Sequence, residues 1–110
     1  MTIARKYLWS SSKNSIMATR KEIKCINKRG SHYDAHKRIE HVGGVYAGLR
    51  WKLSETAAIA RIDSKTEEYF VTVDSKAVNV IVSKHGTDRY LKTESDGYAP
   101  NNLLSLPECP

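Results

Sequence analysis

The sequence predicts an α+β fold, in which a small antiparallel sheet of four to five strands, including a meander, is covered by one short helix. Two alternating runs rich in β-branched and aromatic residues, 68–73 and 77–83, are typical of strands. Residues 55–62 instead carry one apolar stripe at helical spacing. Because the strands and the helix are segregated along the chain, the order of elements favours the α+β class.

The two alternating runs form the centre of the predicted meander. Asp74-Ser75-Lys76 lies between them and is a polar turn of the kind that joins the strands of a hairpin. In the first run, Tyr69, Val71 and Val73 fall on one face, as expected for a strand with one side in the core. Residues 85–88 then turn the chain into a third strand over 89–93.

The helix is predicted to begin after Ser54, because a serine hydroxyl accepts a hydrogen bond from the backbone of the first turn. Glu55 then lies in that turn, where the helix dipole favours a carboxylate. Ala58, Ile59 and Ile62 form the apolar stripe. So short a helix is stable only when such a stripe packs on a sheet.

Further strands are predicted near the N-terminus. Residues 21–28 alternate as one strand, and residues 38–42 permit a second short one. Gly43-Gly44 is expected to end that second strand in a bulge or tight bend, because glycine has no Cβ to forbid positive φ. Near the C-terminus, Asn101-Asn102 is typical of a turn, and the leucines within 103–106 are expected to bury the tail against the body.

The net charge of +6 is concentrated at the N-terminus. Residues 1–21 carry five of the 18 basic residues and no acid, which leaves 13 basic against 12 acidic residues in the remainder. The serine-rich stretch 10–15 lacks apolar periodicity and indicates coil. We therefore interpret residues 1–19 as a basic flexible leader and residues 20–110 as a single compact α+β domain. Residues 1–16 are interpreted as an extension from an upstream start, with a targeting peptide or docking on the body as alternatives.

Several spaced motifs together resemble a family of small bacterial and phage proteins that is known as a domain of unknown function with a His-Ile-Gly-Gly motif. These motifs are Ile23-Lys24-Cys25-Ile26-Asn27-Lys28, Arg38-Ile39-Glu40-His41-Val42-Gly43-Gly44, Tyr90-Leu91-Lys92-Thr93 and Asn101-Asn102-Leu103-Leu104-Ser105-Leu106-Pro107-Glu108-Cys109. The resemblance covers roughly residues 20–109. It implies a fold unit and a bacterial or phage association, and it implies no activity.

The residues that carry chemistry do not form a recognisable catalytic or metal-binding pattern. Cys25 and Cys109 are expected to be reduced thiols, with a bridge between them as the alternative. No cysteine and histidine spacing matches a zinc finger, so no metal and no cofactor is predicted. The alternative function is a small metal- or thiol-dependent enzyme or redox protein that uses Cys25, His41 and Cys109.

The leading function is a non-enzymatic binding module, an accessory protein that contacts a protein or nucleic-acid partner. Two segments interleave basic and aromatic side chains, as proteins that bind single-stranded nucleic acid do. The candidate contact residues are Arg38, Trp51, Lys52, Arg89, Tyr90 and Lys92. Any nucleic-acid binding is expected to depend mainly on the basic leader, because the remainder of the chain is close to neutral.

The expected setting is the cytoplasm. No window of the sequence approaches the roughly 18 apolar residues of a membrane helix, so no membrane partner is predicted. A sheet of four or five strands leaves an edge strand open, and a homodimer through that edge is a further expectation.

The leader generates the first test. Deleting residues 1–16 should leave the melting temperature nearly unchanged, because these residues lack the periodicity of a packed element. The measurement is a thermal melt of the full chain and of the chain that begins at Met17. A large drop would show that apolar side chains of the leader belong to the core.

Overall fold

The computed structural model describes residues 18–97 and 99–110. Over these residues the chain forms seven strands, two α-helices and one 3-10 turn. In chain order they are β1 (Thr19–Glu22), β2 (Cys25–Lys28), the 3-10 turn (Ala35–Lys37), β3 (Ile39–Tyr46), β4 (Leu49–Ser54), α1 (Glu55–Asp63), β5 (Glu67–Val73), β6 (Lys76–His85), β7 (Asp88–Thr93) and α2 (Asn101–Leu104).

The strands divide into two sheets, one with the order β1-β5-β6-β7 and one with the order β2-β3-β4. The antiparallel meander β5-β6-β7 and the α+β class are confirmed. The described strands are more numerous than the four to five predicted, and β1 joins β5 in parallel rather than antiparallel. The additional strands come from segments that pair within two different sheets. No local pattern in the sequence indicates which sheet a segment joins.

The first departure lies in residues 21–28, which were predicted as one strand and form parts of two. The Ile23 amide donates to the Phe70 carbonyl at 2.8 Å, and the next amide, that of Lys24, donates to Gly43 at 2.8 Å. Consecutive residues therefore bond to different sheets. Ile23 and Ile26 are both buried, at a spacing of three that an alternating strand does not give.

The turns of the meander have the conformations that tight hairpins require. Asp74 and Ser75 have φ values of 50° and 67°, which defines a two-residue turn with both residues left-handed, the geometry that matches strand twist. Val73 pairs with Lys76 across it, so Lys76 belongs to β6 rather than to the turn. The next turn contains Gly86 at φ 64°.

The predicted helix is confirmed with its cap. The Ser54 hydroxyl accepts a hydrogen bond from the Ala57 amide at 3.1 Å. Ala58 and Ile59 are buried, and Ile62 packs against the same core. The residues before the helix form β4, the partner of β3.

The core draws on both sheets and both helices. Its buried side chains are Ile23, Ile26, Ile39, Val42, Ala58, Ile59, Tyr69, Val71, Val80, Leu91 and Leu103. Because these side chains come from segments throughout residues 23–103, the two sheets share one core and form one unit.

The double glycine is a site of close packing and not a bend. Gly43 and Gly44 lie within β3, which runs straight on to Tyr46, so the predicted bulge or bend is wrong. A Cβ on Gly44 would lie 2.4 Å from the Glu22 carbonyl oxygen, and one on Gly43 would lie 2.7 Å from the Trp51 carbonyl oxygen. Both positions require glycine, because neighbouring backbone occupies the space that a Cβ would need.

The C-terminal tail adds itself to β2. The Ile26 amide donates to Pro107 at 2.9 Å, and the Cys109 amide donates to the Ile26 carbonyl at 3.1 Å. This pairing brings Cys109 to Cys25, and the two form a disulfide. The expectation that both cysteines are reduced is therefore wrong, and the bridge kept as the alternative is observed.

The segment before the tail is fixed by one carboxylate. Asp96 accepts hydrogen bonds from the Thr93 amide and hydroxyl and from the Asn102 amide. Asn102 lies in the short helix α2 rather than in the predicted turn. Leu103 is buried, and Leu104 and Leu106 pack beside the core, which confirms the expected burial of the leucines.

Most of the predicted leader, residues 1–17, lies outside the described residues, so its dispensability stays a prediction. Thr19, the last residue assigned to the leader, is already paired with Glu67 in the first strand. None of the helices within residues 18–97 and 99–110 is long and apolar enough to cross a membrane.

The close approach at Gly44 gives a stability test. Gly44→Ala should lower the free energy of unfolding by about 1–3 kcal/mol or more, because the new methyl group meets backbone that cannot rotate away. Gly97→Ala is the control, since a Cβ there meets nothing within 4 Å, and it should change stability by less than about 1 kcal/mol. Denaturant unfolding measures both, and equal effects would contradict the proposed packing.

Candidate partner-binding site

The six predicted contact residues fall in three places. They are Trp51 and Lys52 on β4, Arg89, Tyr90 and Lys92 on β7, and Arg38 directly after the 3-10 turn. Because β4 and β7 belong to different sheets, the structure does not bring these side chains together into one surface.

The residues on β7 are engaged in holding the fold. The Tyr90 side chain is buried, with 2% of its surface exposed, so its ring offers no face for a stacked base. Arg89 donates from both terminal nitrogens to the Asp63 carboxylate at 2.7 Å. Lys92 donates to the carbonyl oxygens of Asp96 and Gly97. Arg89, which remains partly exposed, is the most accessible of the three.

Arg38 is also occupied by the backbone. Its Nε donates to the Arg29 carbonyl oxygen at 3.3 Å, and the Arg29 amide donates back to the Arg38 carbonyl at 2.7 Å. These two bonds close the loop that contains the 3-10 turn. The side chain therefore acts locally in the fold.

The hairpin that joins β3 to β4 is different, because it exposes apolar side chains. We call residues 45–50 the hairpin tip. Of the four exposed large hydrophobic side chains in the described part of the chain, three lie there, namely Val45 (49% exposed), Tyr46 (44%) and Leu49 (73%). Ala47 and Gly48 make its two-residue turn with positive φ, so the tip is a well-defined hairpin.

The register of the hairpin assigns its side chains to two faces. Direct partners in an antiparallel pair point to the same side. Val45 therefore shares a face with Arg50, and Gly43 shares that face with Lys52. The face also carries Cys25, because Cys25 pairs with Gly43 from the other side. The tip is thus continuous with two cations and the disulfide.

The opposite face of the hairpin carries an aromatic row with a cation over it. Lys21 Nζ lies 5.3 Å from the Tyr46 ring centroid and 5.4 Å from that of Trp51. Trp51 in turn packs on Tyr69, with ring centroids 5.5 Å apart. Cation–π contacts of this kind hold the aromatic rings in place.

Lys21 is itself positioned by a buried carboxylate. Its Nζ lies 2.7 Å from Glu67 Oε2, which Arg61 approaches at 3.2 Å. Tyr69 donates its hydroxyl proton to the same carboxylate. Burial by itself raises the pKa of Glu67, but the hydrogen bonds from Lys21 and Tyr69 and the charge of Arg61 outweigh it and lower that pKa. The ionised carboxylate fixes Lys21 beside the hairpin.

A cavity of about 220 Å³ lies against the disulfide. Its lining residues are Cys25, Gly44, Arg50, Trp51, Lys52, Cys109 and Pro110. Lys52 Nζ donates to the Pro110 carbonyl oxygen at 3.4 Å, which ties β4 to the tail. Trp51 and Lys52, two of the predicted contact residues, therefore meet here.

The alternative set of Cys25, His41 and Cys109 is only partly assembled. His41 pairs with Asn27 across β2 and β3, and Asn27 Nδ2 donates to the Cys109 carbonyl oxygen at 3.3 Å. The two sulfur atoms are bonded to each other. Within the described ranges, no group of three or more histidine, cysteine, aspartate or glutamate residues could hold a metal ion.

A second cavity, of about 340 Å³, lies beside the first residue of α1. Its lining residues are Arg29, Tyr33, His36, Lys37, Glu55, Asp88 and Arg89. The Glu55 carboxylate accepts a hydrogen bond from the Leu91 amide at 3.0 Å. Burial raises the pKa of Glu55 to about 7, against the opposing effects of that hydrogen bond and of the Arg29 charge.

Lys21, Tyr46 and Leu49 were not predicted as site residues from the sequence. One signal was available, because residues 41–54 contain no acid while they carry two cations and several aromatic or large apolar side chains. The position of Lys21 over the hairpin had no such signal, since it depends on β1 lying beside β3.

Comparison with known proteins supports the fold unit. The chain matches the model of the family described as Protein of unknown function (DUF3892) over residues 22–107. This match spans the end of β1, both sheets, α1 and most of the tail. No curated protein and no solved structure matches the chain. Since the family model covers well over half of the sequence, the chain belongs to this family of proteins of unknown function.

Proposed function

We propose that the chain is a non-enzymatic binding module that contacts a macromolecular partner through its hairpin tip. The observation that carries this proposal is the concentration of exposed Val45, Tyr46 and Leu49 on one six-residue hairpin. Contiguous exposed apolar side chains are characteristic of interaction surfaces, and tyrosine and arginine are enriched in them. Arg50 adds a cation to the face that carries Val45, and Lys21 lies over the opposite face, which carries Tyr46 and Leu49.

The charge of the hairpin indicates the chemistry of the partner. Residues 41–54 contain no acid, and Lys21, Arg50 and Lys52 surround the tip with positive charge. An acidic surface with an apolar centre complements this pattern. The aliphatic side chains Val45 and Leu49 favour a protein over a nucleic acid, because single-stranded nucleic acids are bound mainly by stacking and by phosphate contacts.

We propose that any nucleic-acid contact is made by the leader and not by the hairpin tip. The basic residues of the leader, including Arg5, Lys6 and Lys13, would release counterions from phosphate, and such binding falls steeply with salt. The family resemblance supports the proposal that the chain is a bacterial or phage accessory protein. Contact with a protein partner through the hairpin would not depend on the leader.

A homodimer is a further form of this proposal. The tail covers the outer side of β2, while β4 is the other edge of the three-stranded sheet as described. Antiparallel pairing of two β4 strands would extend the sheet across two copies and bring two hairpin tips near each other.

The hairpin proposal is tested with a matched pair of variants. Tyr46→Ser combined with Leu49→Ser should reduce recovery of the specific partner from the native host at least tenfold, because both exposed anchors are lost. Tyr33→Ser is the control, since Tyr33 is equally exposed (44%) but lies in another loop. Quantitative affinity purification with nuclease treatment is the measurement. Unchanged recovery by the hairpin variant, with its stability intact, would exclude the tip as the contact surface.

A thiol–disulfide function is the second candidate, because the Cys25–Cys109 disulfide lines a cavity beside Arg50 and Lys52. In that reaction the reduced pair would pass two electrons and two protons to an oxidised partner disulfide and become bridged. Cations near a sulfur stabilise its thiolate and thereby favour exchange. His41 would be the base in the same candidate.

Redox equilibrium separates the two functions. Under the binding proposal the bridge is structural, and its reduction potential should lie below about −300 mV. Cys109→Ser should then lower the free energy of unfolding by about 2–4 kcal/mol, because a bridge across 84 residues restricts the unfolded chain. Thiol trapping in defined glutathione or dithiothreitol buffers gives the potential. A value between about −270 and −120 mV, the range of thiol–disulfide oxidoreductases, would favour the redox candidate.

The disulfide also bears on the proposed cellular location. We propose a cytoplasmic protein, as the sequence suggested, although disulfides persist mainly in oxidising compartments. A bridge with a reduction potential below about −300 mV would resist reduction by glutathione, so it is compatible with a cytoplasmic location. Thiol trapping directly from intact cells gives the redox state of Cys25 and Cys109 in their own compartment.

A further inference from the structure

We propose that the second cavity binds a small ligand that carries an oxyanion, a carboxylate or a phosphate, on an aromatic body. The cavity lies between the loop that contains the 3-10 turn, the first residue of α1 and the first two residues of β7. Its volume of about 340 Å³ suits a small molecule rather than a macromolecule. It is separate from the hairpin tip and does not depend on the function proposed for it.

Three cations line the cavity, namely Arg29, Lys37 and Arg89. Arg29 is held in place because its Nη1 donates to the carbonyl oxygens of Lys37 and Ile39 at 3.0 and 2.9 Å. Arg89 is held by its paired bonds to Asp63. Fixed guanidinium groups suit oxyanions because their N–H donors match the geometry of carboxylate and phosphate oxygens.

The cavity also contains two carboxyl groups, and each is compensated. Asp88 Oδ2 lies 3.4 Å from Lys37 Nζ and 4.0 Å from His36 Nε2. Glu55, at the start of α1, accepts the Leu91 amide and is removed from bulk water. When Glu55 holds a proton, the carboxylate of Asp88 remains in the lining beside the cations Arg29, Lys37 and Arg89, and Asp63 pairs with Arg89 from outside the lining.

The protonation of Glu55 therefore sets the charge of the cavity near neutral pH. Burial, the dominant effect, raises the pKa of Glu55 to about 7. Below that pH the protonated carboxyl adds no negative charge and has a proton to donate to an oxyanion. Above it, the ionised carboxylate repels the same ligand. The affinity of the cavity for an anion should fall as the pH rises through 7.

The aromatic body of the ligand has a partner at the cavity rim. Tyr33 is exposed and lines the cavity. Its ring centroid lies 4.6 Å from that of His32, which orients it. Deeper in the loop, the buried His36 ring lies 4.0 Å from the His85 ring. An aromatic group on the ligand would pack against Tyr33 while its oxyanion reaches the cations.

The test is the binding of benzoate, phenyl phosphate and inorganic phosphate to the full chain, measured by calorimetry or NMR shift. Benzoate is the probe for pH dependence, because its charge is constant between about pH 6 and pH 8. Its affinity should fall at least about fivefold over that range, since one like charge appears in the cavity. Tighter binding of phenyl phosphate than of benzoate identifies a phosphate ligand, and the reverse identifies a carboxylate.

Two variants and one control make the outcome decisive. Glu55→Gln keeps an oxygen to accept the Leu91 amide and should remove most of the pH dependence of binding. Lys37→Ala should weaken binding at least about threefold, whereas Lys76→Ala, at the opposite end of β6 from His85 and the cavity, should not change it. Absence of binding by all three probes, or binding that Lys37→Ala leaves unchanged, would overturn the proposal.

Discussion

The close approach of the Glu22–Lys24 backbone to the glycine pair in β3 is the contact on which the rest of the structure depends. At this point the chain leaves the four-stranded sheet through the Ile23 amide and enters the three-stranded sheet through the Lys24 amide. Only a strand without a Cβ at Gly44 lets the Glu22 carbonyl oxygen come this near. The two sheets are thereby held at backbone distance, and Ile23 and Ile26 enter one shared core.

The same absence of side chains creates the surroundings of the candidate partner-binding site. A Cβ on Gly43 would lie 3.1 and 3.2 Å from the Cys25 and Cys109 sulfur atoms, and a Cβ on Gly44 would lie 3.3 Å from Trp51 Nε1. The disulfide and the indole can therefore occupy these positions only because glycine stands at 43 and 44. The tail is bonded and bridged to β2, and the exposed large hydrophobic side chains of this sheet lie at the end of the β3–β4 hairpin.

The two candidate binding regions differ in chemistry as clearly as in position. The hairpin tip is apolar with a cationic margin, which suits the broad surface of a macromolecule. The second cavity is concave and lined by fixed charges, which suits a small anion. Both are anchored to the same core: Lys21, beside the hairpin, is held by Glu67 of β5, while Glu55, in the cavity, begins the helix that packs on that core.

The sequence by itself determined the elements whose signals are local. The cap at Ser54 and the stripe through Ile59 appear as predicted, and both meander turns lie where predicted, although Lys76 belongs to β6 rather than to the first turn. A cap, an amphipathic period and a tight turn each need only neighbouring residues. The tertiary structure decided what depends on distant segments: the division of residues 21–28 between two sheets, the bridge from Cys25 to Cys109, and the burial of Tyr90. It also decided the candidate sites. The predicted basic and aromatic residues were dispersed, since pairing partners determine which side chains meet, and a glycine pair indicates close approach only when the backbone that approaches it is known.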